Sequence, residues 1–333
     1  MMTAQPPGES DITISWQHHA TDPQSIELVV VLPTFKRPDH LRITLQSVIN
    51  QTTQKPYAIV VMDNHPEGSQ GAVAAEELLK ESGISATIIL AHRRGNCAAY
   101  NAGFHTALST YGHAKWIQII DDDEIAHPDW LENQVATAER LGVDFCGAPQ
   151  HPIFDGGRHQ DWQRHPVFEP PFKSSGQVPI LYSSGNVLLS TERLREHQHP
   201  WLDEVFNFLG GGDSDFFDRC KRRGARFGWC AEAGVDETTP LRRTELSWLN
   251  SRSLRNGSIS ALIQKRAARS MTDHAARIIK SLLLLAASPY RSLTLFVNKR
   301  SLIMALNPMN VALGRLLMEF GFANEQYRAA DKN

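Results

Sequence analysis

The sequence has four cysteines, and they form no pattern. Cys97, Cys146, Cys220 and Cys230 lie far apart along the chain, with no close pair at the spacing of metal ligands. We therefore expect neither a zinc site nor a disulfide framework. A reducing, cytoplasmic setting fits this cysteine usage best.

Long hydrophobic runs and a secretory signal are also missing. No stretch approaches the roughly 18–20 apolar residues that span a bilayer, so we do not expect an integral membrane protein. Residues 1–16 lack a basic start followed by an apolar segment, which a signal peptide would have. The Pro, Gly, Ser and Gln content of this region predicts that residues 1–25 are a loosely ordered leader.

The chain carries almost no net charge. A formal charge of -2 over 333 residues gives no general case for nucleic-acid binding. Its 41% hydrophobic and 21% charged residues are ordinary for a globular protein. The length suits one large α/β domain, or a core domain with an appendage.

The first half alternates strand and helix patterns, which is typical of a parallel sheet covered by helices. Short β-branched runs predict the strands, and apolar residues at helical spacing predict the helices between them. The predicted strands are 26–32, 58–62, 87–90, 115–120 and 143–148, and the predicted helices are 39–51, 72–79, 97–108 and 128–141. The fold class is therefore α/β with a mostly parallel sheet.

The alternation ends near Ala148. Residues 149–177 hold several Pro, Gly and His residues without periodicity, which predicts a long loop, either a lid over a site or a linker. Beyond this loop we expect extended structure over 178–189, a helix from Gly210–Asp213 to about Arg223, a strand at 226–230 and mostly helix after Asp236.

Four acids stand in a row directly after the predicted strand 115–120: Asp121, Asp122, Asp123 and Glu124. The end of a parallel strand lies at the edge where open α/β sheets bind ligands. A divalent cation would neutralise these carboxylates, and such hard oxygen ligands suit Mg²⁺ or Mn²⁺ shared with substrate phosphates. The alternative is a solvated acidic turn, but the strand before the run favours a metal site.

Two other predicted strands also end in polar residues, Thr34–Arg37 and Asp63–Asn64. Because these ends share one edge of the sheet, a nucleotide could lie across it with its base and ribose at Asp63 and its diphosphate near the acids. An isolated Asp after a strand is more often a turn or helix-cap residue, and that alternative stays open for Asp63.

These motifs together resemble a known enzyme family. PTFKRPDHLRITLQSVINQ, IVVMDN, RRGNCAAYNAGF and IIDDDEIAHPDWL are similar to the inverting family 2 glycosyltransferases with the GT-A fold, as are SSGNVLLS, GGGDSDFFDRCKRRGARFGW and ETTPLRRTELSWLNSRSLRNG. The resemblance is greatest to non-processive enzymes that extend bacterial exopolysaccharide repeat units. It implies a GT-A domain over 26–257, with a nucleotide-binding half 26–148 and an acceptor half 178–257, and a C-terminal helical region over 258–333.

The resemblance also implies a donor site. Its residues would be Pro33, Thr34, Phe35 and Arg37 around the base, Asp63 in contact with the base, Arg94 and Asn101 near the nucleotide and sugar, and Asp121 and Asp122 facing the donor. Asp123 would bind Mn²⁺ or Mg²⁺ bridging the diphosphate. Glu124 is expected to stabilise the start of the following helix rather than to bind metal.

Inverting transfer needs a carboxylate that accepts the proton of the acceptor hydroxyl. By resemblance this base is Asp213, although Gly212 stands where the family commonly has Glu, and Asp215 is the alternative. Either aspartate could equally cap the helix that it opens. Gly185 and Asn186 are expected on the acceptor side.

Basic residues follow in the last third of the chain. Arg243, Trp248, Arg252 and Arg255 would lie on a helix that closes over the site and neutralises the departing diphosphate, although each arginine could instead be on a solvated helix face. Residues 258–333 mix apolar and basic residues. They could contact an anionic membrane surface, or form a packed helical appendage or an oligomer contact.

The sequence therefore predicts a metal-dependent hexosyltransferase that moves a sugar from a nucleoside-diphosphate sugar, by resemblance a UDP-sugar, with inversion to a saccharide or lipid-linked saccharide in polysaccharide synthesis. We expect it in the cytoplasm or peripheral to the inner face of the cell membrane. The alternatives are a nucleotidyltransferase, a phosphohydrolase and a non-catalytic relative that binds nucleotide sugars. A nucleotidyltransferase would be expected to have a Gly-rich loop after the first strand, and a phosphohydrolase often needs an Asp at the end of that strand; this chain has neither. Intact Asp123 and Asp213 argue against a non-catalytic relative.

Overall fold

The strands β2 (Leu28–Thr34) and β3 (Tyr57–Asp63) form the centre of a large sheet in the computed structural model. Every residue of β2 is buried, as is every residue of β3 except Tyr57. Both strands are rich in apolar, β-branched residues, as expected where helices cover both faces of a sheet. The structure describes residues 11–154, 160–197 and 199–321.

Seven further strands complete this nine-stranded sheet: β1 (Ile12–His18), β4 (Ser85–Ala91), β5 (Trp116–Ile119), β7 (Phe145–Gly147), β9 (Gly176–Val178), β10 (Val187–Ser190) and β11 (Phe227–Trp229). The strand order is β1-β4-β3-β2-β5-β10-β7-β11-β9. The central strands β4, β3, β2 and β5 are parallel. In contrast, β1 pairs antiparallel with β4, and β10 pairs antiparallel with both β5 and β7.

A smaller sheet has the order β6-β12-β8. Its strands are β6 (Glu124–Ala126), β8 (Gln150–Phe154) and β12 (Val235–Thr239). β6 and β12 run antiparallel, with Glu124 directly opposite Glu237. The last residue of the acid run thus belongs to a strand.

Helices separate the parallel strands: α1 (Pro38–Ile49), α2 (Gln70–Ser82), α3 (Asn96–Thr110) and α4 (Trp130–Leu141). α1 shows why they form, because Leu41, Leu45 and Val48 recur at helical spacing and are all buried. Two shorter helices follow, α5 (Thr191–Glu196) and α6 (Gly212–Arg222). The strand–helix alternation confirms the predicted α/β class, and α6 and β11 lie where the sequence predicts them.

Two expectations need correction. Part of the expected leader is ordered, because β1 forms an edge strand whose residues are exposed or half-buried; residues 1–10 lie outside the described part of the chain. The expected loop 149–177 is also partly regular, since it contains β8, a 3-10 helix at Gln160–Arg164 and β9. Residues 155–159 within it are not described, and its role as a lid stays a prediction.

The chain divides into two compact units. The first comprises the described residues up to His151, with Pro170–Phe208 and Gly212–Glu237, and it contains the nine-stranded sheet. The second comprises Pro152–Glu169, Leu209–Gly211 and the chain from Thr238 onward.

The second unit contains the predicted C-terminal helices, α7 (Leu246–Ala267), α8 (Met271–Lys299), α9 (Leu302–Ala305) and α10 (Asn307–Glu319). The domain boundary proposed at residue 257 falls within α7, so this helix is common to both predicted regions. Within the described ranges, no helix is long and apolar enough to cross a membrane.

Two glycines let α7 and α10 approach closely. A Cβ atom on Gly257 would lie 2.0 Å from the carbonyl oxygen of Val311, and one on Gly314 would lie 1.9 Å from that of Leu254. The Ser258 hydroxyl donates to the Gly314 carbonyl at 2.9 Å. The helices thus meet backbone to backbone, where no side chain fits.

We expect Gly314→Ala to destabilise the second unit by about 3 kcal/mol, because the added methyl meets rigid backbone and the helices must separate. Thermal unfolding followed by circular dichroism measures the loss. Gly176→Ala is the matched control, since a Cβ there meets nothing within 4 Å. Equal melting temperatures for the Gly314 variant and the control would show that the helices do not pack this closely.

Candidate active site

The acid run is fixed at the carboxyl ends of β2 and β5. The Thr34 hydroxyl, at the end of β2, donates to the Asp122 carboxylate at 2.9 Å, and the Thr44 hydroxyl of α1 donates to the Asp122 backbone carbonyl at 2.9 Å. Asp122 is consequently buried. It anchors the run to the parallel sheet, as the strand-end argument predicts.

Arg37 joins this anchor to the next acid. Its Nη1 donates to Asp122 at 3.3 Å and to Asp123 at 3.0 Å. The sharp turn between β2 and Arg37 passes through Lys36, whose φ of 57° lies in the left-handed region. Asp123 keeps 13% of its side chain exposed, so its carboxylate is accessible from outside.

Tyr100 of α3 contacts the acid run. Its hydroxyl donates to the Asp121 carboxylate, and its ring is fully buried. Burial and the neighbouring charge of Asp121 raise the pKa of Tyr100 well above its ordinary value, and the charges of Glu124 and Asp213 raise it further. The Tyr100 hydroxyl therefore lies in a negatively charged environment, in direct contact with Asp121.

Glu124 does not cap a helix, so that expectation is wrong. α4 begins at Trp130, and Glu124 is a fully buried residue of β6. Its carboxylate accepts from the Asp121 backbone N–H at 2.9 Å and from the Gln150 side-chain amide. These bonds close the turn of the acid run.

Negative charge is crowded in this region. Burial is the main cause that raises the pKa of Asp121 and of Glu124; the charge of Asp123 adds to it at Asp121, and the charge of Asp121 adds to it at Glu124. Burial also raises the pKa of Asp122 to about 6, although Arg37 opposes this. Glu237, opposite Glu124 on β12, adds a further like charge. The arrangement favours binding of a cation.

Asp213 lies in the first turn of α6, half-buried. Its carboxylate accepts from the Ser184 backbone N–H at 3.0 Å and from the Ser214 backbone N–H at 2.7 Å. Asp215 is only 2% exposed and pairs with Arg219 at 2.8 Å. Asp213 is therefore the more accessible of the two candidate bases.

An aromatic and cationic cluster lies at the end of β2. The Arg94 guanidinium is 5.3 Å from the centre of the Phe35 ring, and the Lys36 ammonium is 5.4 Å from it. His65 packs edge-on against the same ring at 5.6 Å. Phe35 and Arg94, predicted from separate motifs, thus lie together.

Other predicted residues have their polar atoms engaged in the fold. Asp63 is fully buried and accepts from the backbone N–H groups of His65 and Ala72, each at 2.9 Å. Asn101 makes two bonds to the Leu202 backbone, at 2.8 and 3.0 Å. These contacts agree with the turn-and-cap alternative for Asp63 and give Asn101 a structural role.

The two residues predicted on the acceptor side, Gly185 and Asn186, have different surroundings. Asn186 is buried, accepts from Trp130 Nε1 at 2.8 Å and donates to the Ala233 carbonyl at 2.9 Å. Gly185 instead lies beside the acid run, because a Cβ there would be 2.7 Å from the Glu124 carboxylate. Of the two, Gly185 is next to the cluster of acids. Pro33 is a buried residue within β2.

The predicted basic helix is in the second unit. Trp248 stacks on Phe168 with ring centres 5.9 Å apart and an angle of 3° between the planes. The guanidinium groups of Arg243 and Arg252 each lie 5.9 Å from the Trp248 ring. Arg255 is buried in α7.

The sequence reasoning did not find Tyr100, Gln150 or Ser184. Tyr100 lies among small residues of a buried helix, and Gln150 belongs to the segment 149–177, which the sequence predicts as a loop. Neither position carries a local pattern, so only the folded chain shows that they touch the acids. Throughout residues 11–154, 160–197 and 199–321, no three His, Cys, Asp or Glu side chains are arranged to hold a metal by themselves.

Comparison with known proteins agrees with this geometry. The family model "Glycosyl transferase family 2" matches residues 29–196. The chain is 26% identical over 240 residues to a chondroitin synthase of Escherichia coli, covering 60% of this chain and 33% of that protein. The chain thus spans about a third of that relative's length.

Solved structures show the fold. A mannosyltransferase, PcManGT from Pyrobaculum calidifontis, in complex with GDP-Man and Mn²⁺, has a TM-score of 0.54 at 17% identity, covering 89% of this chain and 88% of that one. Residues 1–349 of TarS from S. aureus, in complex with UDP, have a TM-score of 0.50 at 12% identity, covering 89% and 92%. The predicted GT-A fold is thereby confirmed. With its family model matched over half of its length, the chain belongs to glycosyl transferase family 2.

Proposed function

We propose that this protein transfers a sugar, with inversion, from a nucleoside-diphosphate sugar to a saccharide acceptor in polysaccharide synthesis. The observation that carries the proposal is the proximity of Asp213 to the acid run: the Ser184 backbone N–H donates to Asp213, and the adjacent Gly185 lies beside Glu124. It provides charged groups for a donor diphosphate and a carboxylate for the acceptor hydroxyl in one unit. The similarity to a chondroitin synthase supports the polysaccharide product.

The donor side begins with Phe35 and Arg94. A half-buried ring flanked by cations provides a stacking surface for a nucleobase and positive charge for phosphates. Hydrogen bonds from Arg37 and Thr34 hold the Asp122 carboxylate in place on the donor side. We propose UDP as the nucleotide, with GDP as the alternative, because structures of the same fold hold UDP or GDP-Man.

A divalent cation, Mn²⁺ or Mg²⁺, fits the acid run. The carboxylates are hard oxygen ligands, and their crowding leaves a demand for positive charge. Asp123 would hold the ion, with Asp121 facing the sugar or ribose. Since the described side chains form no complete metal cage, the remaining ligands would come from the diphosphate and water. When bound, the cation would neutralise the charge that develops on the departing diphosphate.

Asp213 is our candidate for the base. Two backbone N–H groups orient its carboxylate. The acceptor hydroxyl would give its proton to Asp213 as its oxygen attacks the anomeric carbon and the bond to the diphosphate breaks. Gly185, beside Glu124, leaves room on this side where a side chain would fill it.

Four residues of the second unit are our candidates for contacts with the diphosphate: Arg243, Trp248, Arg252 and Arg255. The stacking of Trp248 on Phe168, with two guanidinium groups near the ring, supports a shared role because it gathers both cations around one aromatic side chain.

A panel of UDP- and GDP-sugars, each incubated with the full chain and Mn²⁺, tests the function without an acceptor. We expect slow release of free sugar and nucleoside diphosphate from one donor, with the anomeric configuration inverted when first observed by proton NMR. Chelation by EDTA should stop it.

The products separate the competing enzyme classes. Release of a nucleoside monophosphate with a sugar 1-phosphate would identify a phosphohydrolase that cleaves the diphosphate and would contradict sugar transfer. A free sugar that keeps the donor configuration would contradict inversion. Tight binding of a donor without turnover, even with candidate saccharide acceptors added, would indicate a non-catalytic relative.

A further inference from the structure

Helix α8 of the second unit presents an apolar face to its surroundings. Leu283 and Val297 are each 64% exposed, Leu293 is 60% exposed and Tyr290 is 75% exposed. More residues on the same helix are exposed, namely Met271, Ile278, Ile279, Leu282 and Phe296. An apolar surface of this extent on a soluble chain indicates a binding partner.

The packed side of α8 contains polar residues. The fully packed positions of α8 are Arg277, Ser281 and Ser288. At the helical repeat of about 100° per residue these three lie on one side, and the exposed apolar residues lie on the opposite side. The half-buried Leu284, Leu285 and Leu295 also lie on the packed side, so α8 has apolar residues on both of its sides.

The region around this face is strongly basic. Residues 258–321 contain nine Lys and Arg residues and two acids, Asp273 and Glu319. Asp273 is used in the capping box that begins α8, Glu319 pairs with Arg277, and Lys299 pairs with Glu169 of the same unit, which leaves Lys280 and Arg291 as the basic residues of α8 with no ion pair among the described residues. Lys280 and Arg291 are exposed on the flank of α8 between its packed side and its apolar face. The face therefore combines apolar area with unbalanced positive charge.

We propose that α8 lies on the surface of an anionic phospholipid bilayer, with its apolar face among the acyl chains and Lys280 and Arg291 at the headgroups. An amphipathic helix with these features binds in the plane of the interface, and each basic residue near an anionic surface adds attraction. A second copy of the chain suits the face less well, because two such regions would bring like charge together.

Sedimentation of the full chain with vesicles tests the proposal, independently of any sugar transfer. We expect at least about tenfold stronger partitioning onto vesicles that contain phosphatidylglycerol than onto pure phosphatidylcholine. The double variant Leu283→Glu, Val297→Glu should bind at least about tenfold more weakly, because charged groups would enter the apolar layer. Lys280→Gln with Arg291→Gln should weaken binding to the anionic vesicles alone.

Val73→Glu is the matched control, since Val73 is 54% exposed on α2 of the first unit. It should leave vesicle binding unchanged, and all variants should keep the wild-type circular dichroism. Wild-type protein that does not sediment with anionic vesicles would overturn the proposal. So would a dimer, detected by light scattering, that Leu283→Glu, Val297→Glu converts to a monomer without changing vesicle binding.

Discussion

Asp213→Asn is expected to reduce sugar transfer by about 10³-fold while donor affinity stays within about threefold of wild type, because the change removes a general base and not a donor contact. The amide is nearly the same size as the carboxylate but cannot accept the hydroxyl proton. Initial rates with saturating donor and acceptor, and calorimetric titration with nucleoside diphosphate, measure the two quantities.

Asp213 also has a structural task, so the variant needs a folding control. Its carboxylate accepts from two backbone N–H groups, whereas an amide can satisfy one and turns its own N–H₂ towards the other. We expect a loss of about 1–2 kcal/mol in the free energy of unfolding, too small to account for the activity. Asp218→Asn, on the same helix and paired with Arg222, is the matched control and should keep its turnover.

Asp215→Asn separates the two candidate bases. Asp215 is buried against Arg219, so its amide variant should lower the melting temperature and leave most of the turnover in the folded fraction. The opposite pattern, with Asp213→Asn active and Asp215→Asn folded but inactive, would assign the base to Asp215.

Much of the first unit could be predicted from local sequence. β2 and β3 are uninterrupted apolar runs, and α1 has its apolar residues at helical spacing, so both periodicities are visible without tertiary contacts. The placement of the acids at a strand end follows from the same reasoning. Polar contacts such as Thr34 with Asp122 then arise because neighbouring parallel strands end together.

What could not be predicted depends on pairing between distant segments. In the sequence, Glu124 resembles an acid that precedes a helix. It lies in a strand because it pairs with β12, about 110 residues further along the chain. Likewise β10 is a short apolar run whose antiparallel direction is set by its neighbours β5 and β7. Tyr100 reaches Asp121 because α3 packs against β2 and β3, and no spacing rule links the two positions.

Asp123→Asn should weaken Mn²⁺-dependent binding of the nucleoside diphosphate by at least about 100-fold, since losing a direct ligand should cost no less than losing an outer contact of a metal site. Binding measured without the cation should change little, because Phe35 and Arg94 are untouched. Calorimetric titrations with and without Mn²⁺ give both values. Asp129→Asn, at an exposed acid just beyond the run, is the matched control and should bind as wild type.

The stability of the same variant distinguishes a ligand from a structural acid. The charge of Asp123 raises the pKa of Asp121, of Asp122 and of Glu124, so it opposes the ionisation of its neighbours. Neutralising it removes repulsion, while Arg37 keeps Asp122 as a partner at 3.3 Å. The metal-free variant should therefore melt no lower than wild type. A clear fall in melting temperature with unchanged Mn²⁺-dependent affinity would mean that Asp123 serves the fold through Arg37, and the cation site would then have to rest on Asp121.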